Sequence, residues 1–152
     1  TDAPLCAVLA AAGDALPDLI AVAGRADASL ILCGTNITEA MLAAAVRCPE
    51  LDQLGTGAYK ARISYEGTRQ YLAMTVELRS GVCNDDRVRD HIYHAVVRAL
   101  GRVQPEFLDD WRNIYSAWDT DPVKRAVRIT CVPWPALSQA AEQTIKQRGV
   151  SA

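Results

Sequence analysis

Hydrophobic and polar residues alternate most regularly in the middle of the chain. Tyr59, Ala61, Ile63 and Tyr65 interleave with Lys60, Arg62, Ser64 and Glu66. Beyond Glu66-Gly67-Thr68-Arg69, Leu72, Met74, Val76 and Leu78 interleave with Ala73, Thr75, Glu77 and Arg79. A period of two sends successive side chains to opposite faces of a strand. This stretch therefore predicts a hairpin that buries one face and shows the other to water or to another domain. Shorter apolar runs predict strands over residues 19–22, 30–33 and 127–131, the last stopped by Pro133 and Pro135.

Elsewhere the period is helical. Thr38 is placed to cap a helix reaching about residue 47, with Met41, Leu42, Ala45 and Val46 inward. Pro49, Gly55 and Gly57 end that unit. Asn84 is the expected cap of a long helix, with Asp85 and Asp86 in its first turn, where negative charge faces the positive end of the helix dipole. Its apolar stripe is Val88, Ile92, Val96, Leu100 and Val103. Pro105 opens a further helix, on which Phe107, Trp111, Tyr115 and Trp118 fall at helical spacing, a stripe expected in the core, with docking to another domain the lesser alternative. A final helix turns Leu137, Ala141 and Ile145 inward. The resulting order contains β-α-β-β-α-β, the ferredoxin-like arrangement. The expected fold is α+β: a small, mostly antiparallel sheet, helices on one side, and extra helices near the C-terminus. Such a fold defines no function by itself.

Composition narrows the classes. The 152 residues are the size of one domain, and half of them are hydrophobic, enough for a core. Sixteen basic and eighteen acidic residues leave a net charge of −2, which argues against a nucleic-acid partner. No apolar run is long enough to span a bilayer. Thr1-Asp2-Ala3-Pro4 lacks the basic start of a signal peptide, and Asp14 and Asp18 interrupt the Ala-rich stretch that follows. A cytoplasmic chain is expected, and a first residue other than Met points to a trimmed one. Cys6, Cys33, Cys48, Cys83 and Cys131 form no C-x-x-C pair and are expected as buried thiols of a reducing compartment. His91 and His94 share a helix face without further ligands nearby, so no metal is expected.

The chemistry concentrates in Gly24-Arg25-Ala26-Asp27-Ala28-Ser29-Leu30-Ile31-Leu32-Cys33-Gly34-Thr35-Asn36-Ile37. Gly24 breaks the preceding strand and lets the backbone turn. Arg25 is a permanent cation suited to a ribose or phosphate oxygen. Asp27 tolerates unusual backbone angles, and Gly34 lets a ligand approach the main chain. On these residues alone, an Asp- and Gly-bearing turn between two strands is also a sufficient reading. As a string, the fourteen residues resemble the hinge motif of adenylate-forming ligases. The Gly-Thr-Asn-Ile form is most similar to phenylacetate–coenzyme A ligases and deazaflavin-adenylating synthetases.

The resemblance implies a C-terminal lid domain over residues 24–152, with 1–23 left from the junction to a large domain. It makes Asp27 the hinge, Arg25 and Asp14 nucleotide-binding residues, and Gly34, Thr35 and Asn36 the loop that meets the acceptor. Ile145-Lys146-Gln147-Arg148 resembles the segment around that family's catalytic lysine, which implies the role for Lys146. The family's Gly-rich phosphate loop has no counterpart here, and neither a Walker motif nor a G-x-S-x-G elbow replaces it. The chain alone is thus expected to hold no cofactor and to be inactive, while its full-length parent would use ATP with Mg and coenzyme A. Its partner would be the large N-terminal adenylation domain, with no membrane contact. The alternative is a free-standing ferredoxin-like binding or regulatory module that forms a homodimer through its sheet.

Overall fold

The computed structural model describes residues 29–139. Strands β1 (Ser29–Leu32) and β2 (Thr35–Thr38) form an antiparallel hairpin. Helix α1 (Glu39–Val46) follows at once, capped by Thr38, whose hydroxyl accepts from the Met41 amide at 3.3 Å. A 3₁₀ turn (Pro49–Leu51) leads to β3 (Gly55–Glu66) and β4 (Arg69–Leu78), which pair antiparallel. Helices α2 (Asp86–Val103) and α3 (Pro105–Asn113) and a 3₁₀ turn (Tyr115–Trp118) cross to β5 (Val127–Val132). Strand β5 pairs parallel with β4, giving the order β3-β4-β5. The architecture is α+β, and two of its three strand pairings are antiparallel.

The alternation read from the sequence decides which face is buried. Tyr59 and Ala61 of β3, Leu72, Met74 and Val76 of β4, and Val127 and Cys131 of β5 share one face. Leu42, Ala45 and Val46 of α1 and Ile92, Val96 and Leu100 of α2 complete that core. Each large aliphatic side chain so buried is worth ~1.5–3 kcal/mol. The opposite face shows Lys60, Arg62, Ala73, Thr75 and Thr130 around an open depression of about 460 Å³.

The structure revises several expectations. Residues 35–38 form a strand that the sequence did not announce. Asp85, not Asn84, caps α2: its carboxylate accepts from the Val88 amide at 2.9 Å, while Asn84 donates to the Cys131 carbonyl at 2.9 Å. Val103 ends the α2 stripe exposed, because Pro105 starts a new helix two residues on. The aromatic stripe is split: α3 stops at Asn113, so Tyr115 and Trp118 lie on the 3₁₀ turn. Phe107 and Tyr115 are buried there, whereas Trp118 is exposed beneath the Arg69 guanidinium, 4.5 Å from its ring centre. Cys48 and Cys131 are buried thiols, but Cys33 and Cys83 are exposed, the first in the β1–β2 turn and the second in the segment leading to α2. Among the described residues no cluster fit for a metal ion occurs, and no helix is long and apolar enough to cross a membrane.

Glu77 departs furthest from its expected place. It sits on the outward set of β4, yet it is fully buried. The chain after β5 returns over it. Glu77 Oε2 accepts from the Leu137 and Ser138 amides at 2.7 and 2.9 Å, and Oε1 accepts from the Ser138 and Thr56 hydroxyls at 2.6 and 2.8 Å. Residues 136–139 are helical, so the carboxylate caps the first turn of that helix from below. Burial by itself would raise the Glu77 pKa, but these four hydrogen bonds outweigh it and hold the carboxyl below the ordinary glutamate range.

Candidate functional site

The string singled out in the sequence runs into the β1–β2 hairpin. Leu32 pairs with Thr35, which leaves Cys33 and Gly34 as a two-residue turn. Their φ angles are 51° and 91°. Positive φ at both central residues is the type I′ pattern, whose twist matches that of the strands it joins. Gly34 meets this requirement without cost, and a Cβ built there would touch nothing within 4 Å. The glycine is needed for its backbone angle rather than for a close approach by other parts of the chain. Cys33 is the only non-glycine residue with positive φ among the described residues.

The hairpin is anchored at both ends and along its side. Leu32 and Ile37 are fully buried beneath it. Thr35 is buried, and its hydroxyl donates to Asp110 Oδ2 of α3 at 2.7 Å. Gln104, between α2 and α3, donates through Nε2 to the Asn36 carbonyl at 2.6 Å. Gln70 of β4 accepts from the Cys33 amide at 2.8 Å and donates to the Tyr65 hydroxyl at 3.1 Å. The buried Tyr115 hydroxyl lies beside the Cys33 thiol. Burial, then that thiol and the Asp110 charge, push the Tyr115 pKa above the usual phenol range.

The site residues expected from the sequence divide in two. Gly34, Thr35 and Asn36 come together at the hairpin tip. Asp14, Arg25, Asp27 and Lys146 lie outside the described residues, as do the strand expected over 19–22, Cys6, and Ala141 and Ile145 of the final helix. Thr35 is not available to a ligand, because its hydroxyl is spent on Asp110. Asn36 keeps its side chain exposed, with Oδ1 3.4 Å from Ser29 Oγ. The residues that hold the hairpin, Gln70, Gln104 and Asp110, were not found by sequence reasoning. They stand 37, 68 and 75 positions from their partners, and no local motif marks such contacts.

No protein-family model matches the chain, and neither does any curated protein.

Proposed function

We propose that this chain is the mobile C-terminal lid of an ATP-dependent ligase that activates a carboxylic acid as its acyl adenylate and then transfers it, in the first instance to coenzyme A. The observation that carries the reading is the hinge-like string leading into a hairpin that is bonded to the lid body through Thr35–Asp110, Asn36–Gln104 and Cys33–Gln70. A lid that presents two faces in turn needs a pivot beside a rigid element, so that rotation at Asp27 moves the body as one piece. The exposed tip at Cys33 and Gly34, with Asn36 behind it, is the part offered to the acceptor. Adenylation itself belongs to the large domain, because aligning acid and ATP supplies much of such a rate.

The test has two arms. The reading frame upstream of Thr1 should continue into a large domain with a Gly-rich phosphate loop. The 152-residue chain alone should show no carboxylate-dependent pyrophosphate exchange. A start codon immediately before Thr1, or exchange by the isolated chain, overturns the lid.

A further inference from the structure

We propose that the arginine-lined cleft between the first turns of α2 and strand β5 binds a phosphorylated small molecule. This site is separate from the hairpin and does not depend on the ligase reading. The cleft holds about 460 Å³, within the ~300–1,000 Å³ of ordinary ligand pockets. Arg87, Arg89, Arg125 and Arg128 line it, with Tyr93 and Ile129 as its apolar wall.

Arg125 and Arg89 are held in place while each keeps an unused donor. Arg125 is buried, with its guanidinium carbon 3.8 Å from the centre of the Tyr93 ring. Its Nε donates to the Asp119 carbonyl and its Nη2 to Asp90 Oδ1, both at 2.7 Å. Its Nη1 has no protein partner among the described residues, and the side chain lines the cleft. Arg128, in register with Ala73 and Arg62, lies over the Tyr71 ring at 3.8 Å, donates through Nη2 to Glu66 at 2.6 Å and through Nε to the Arg125 carbonyl at 3.0 Å, and so forms the rim of the cleft towards the far sheet face. Arg89 donates through Nη1 to Asn84 at 3.0 Å and through Nη2 to Asp86, which leaves its Nε. Arg87 is exposed and makes no polar contact among the described residues.

Charge favours an anion. Three guanidinium groups, those of Arg87, Arg89 and Arg125, face the two carboxylates of the lining, Asp86 and Asp90; Arg128 is paired with Glu66 at the rim and Asp119 with His94 behind Tyr93, on a chain whose net charge is −2. Planar guanidinium donors match the several oxygens of a phosphate, and arginines already oriented by other bonds lose little freedom on binding it. The volume beyond one phosphate, against Ile129 and Pro122, takes an organic portion or a second phosphate.

The experiment is a ¹H–¹⁵N NMR titration of the full chain with sodium pyrophosphate at constant ionic strength, with sulfate as the matched control. Saturable shifts are expected in the arginine Nε–H signals and in the amides of residues 86–93 and 125–129, at lower concentration than with sulfate. Arg87→Gln with Arg89→Gln should weaken binding by about tenfold or more. Arg87→Gln alone, which removes no contact of the fold, should weaken it partially. Arg98→Gln, about three turns along α2 from the cleft and paired with Glu50, should change nothing. The absence of saturation at low-millimolar pyrophosphate overturns the proposal. So do shifts that map elsewhere, equal response to sulfate, or unaltered binding by both arginine variants.

Discussion

Thr35 Oγ1 lies 2.7 Å from Asp110 Oδ2, and that one hydrogen bond joins the hairpin tip to helix α3 across 75 positions of sequence. Its donor is buried and its acceptor is charged, so removing the hydroxyl strands a half-buried carboxylate. Thr35→Val should cost ~1.5–3 kcal/mol, the range for hydrogen bonds to charged groups. Thr35→Ser should restore most of it. Urea unfolding of the two variants checks the expectation, and equal midpoints for Val and Ser would remove the bond from the account.

Cys33 carries a positive φ of 51° that its side chain does not favour. The left-handed region costs an ordinary residue ~1–2 kcal/mol, and Asn tolerates it best among non-glycines. Cys33→Asn should therefore raise the urea midpoint while leaving the hairpin in place, since Cys33 is exposed and its amide, not its thiol, bonds Gln70. A lower midpoint would mean that the thiol's contact with Tyr115 outweighs the backbone strain.

Glu77 makes the fold sensitive to acid. Its folded-state pKa is depressed below the ordinary 4.5, so its stabilisation is full above that value and is lost as the pH falls through the folded-state pKa. Glu77→Gln should flatten the acid limb of stability against pH. The variant should cost ~1–3 kcal/mol at neutral pH, because buried donors on Leu137, Ser138 and Thr56 lose a charged acceptor. Hydrogen exchange at the Leu137 and Ser138 amides reports the same loss locally. Unchanged protection there would show that the turn at 136–139 holds without the carboxylate.

Cys131 works with the opposite sign. Burial pushes its thiol up to about 11 from the ordinary 9.0, so its contribution is full below pH 9 and is lost as the pH rises from there towards 11. Iodoacetamide at pH 8 should label Cys33 and Cys83 quickly and Cys131 only on unfolding. Mass spectrometry of the labelled chain decides it, and early labelling of Cys131 would contradict its burial.

The fold was legible where a period repeats over many residues. Strands β3 and β4 and helices α1 and α2 each write their buried face into the chain several times over. Strand β2 did not, because four residues carry too few repeats and Cys33-Gly34 lacks the Asn-Gly signature of a two-residue turn. The Asn84–Asp85 choice of cap was decided by the Cys131 carbonyl, a partner 47 positions away. Glu77 read as outward because alternation reports a face of the sheet and not what later returns to cover it. At the candidate site the Asp- and Gly-bearing turn predicted over 24–27 lies outside the described residues, and the sequence singled out Gly34, Thr35 and Asn36 but not the hairpin turn that Gly34 helps form. The Gln70, Gln104 and Asp110 side chains that hold the turn come from β4, the α2–α3 junction and α3, and only the folded chain brings them to it.

The last expectation follows from the proposed ligase reading. Asp27 and Lys146 stand near opposite ends of the sequence, and that reading gives them separable duties. A pivot must absorb a large change of backbone angle, which proline forbids by fixing φ near −65°. Asp27→Pro should therefore leave one half-reaction nearly intact and cripple the other, since the lid would be held in one orientation. Lys146 would place a point charge on the α-phosphate as negative charge develops in the adenylating transition state. Removing such a contact costs roughly 10²–10³ in rate. Lys146→Ala should slow adenylate formation and spare thioester formation from supplied adenylate. Glu77→Gln loosens residues 136–139, seven positions before Lys146, and should weaken adenylation in the same direction but by less. Pre-steady-state assays of the two half-reactions separate these effects. Equal loss of both steps in Asp27→Pro would argue against a pivot, and unchanged adenylation in Lys146→Ala would remove that residue from the chemistry.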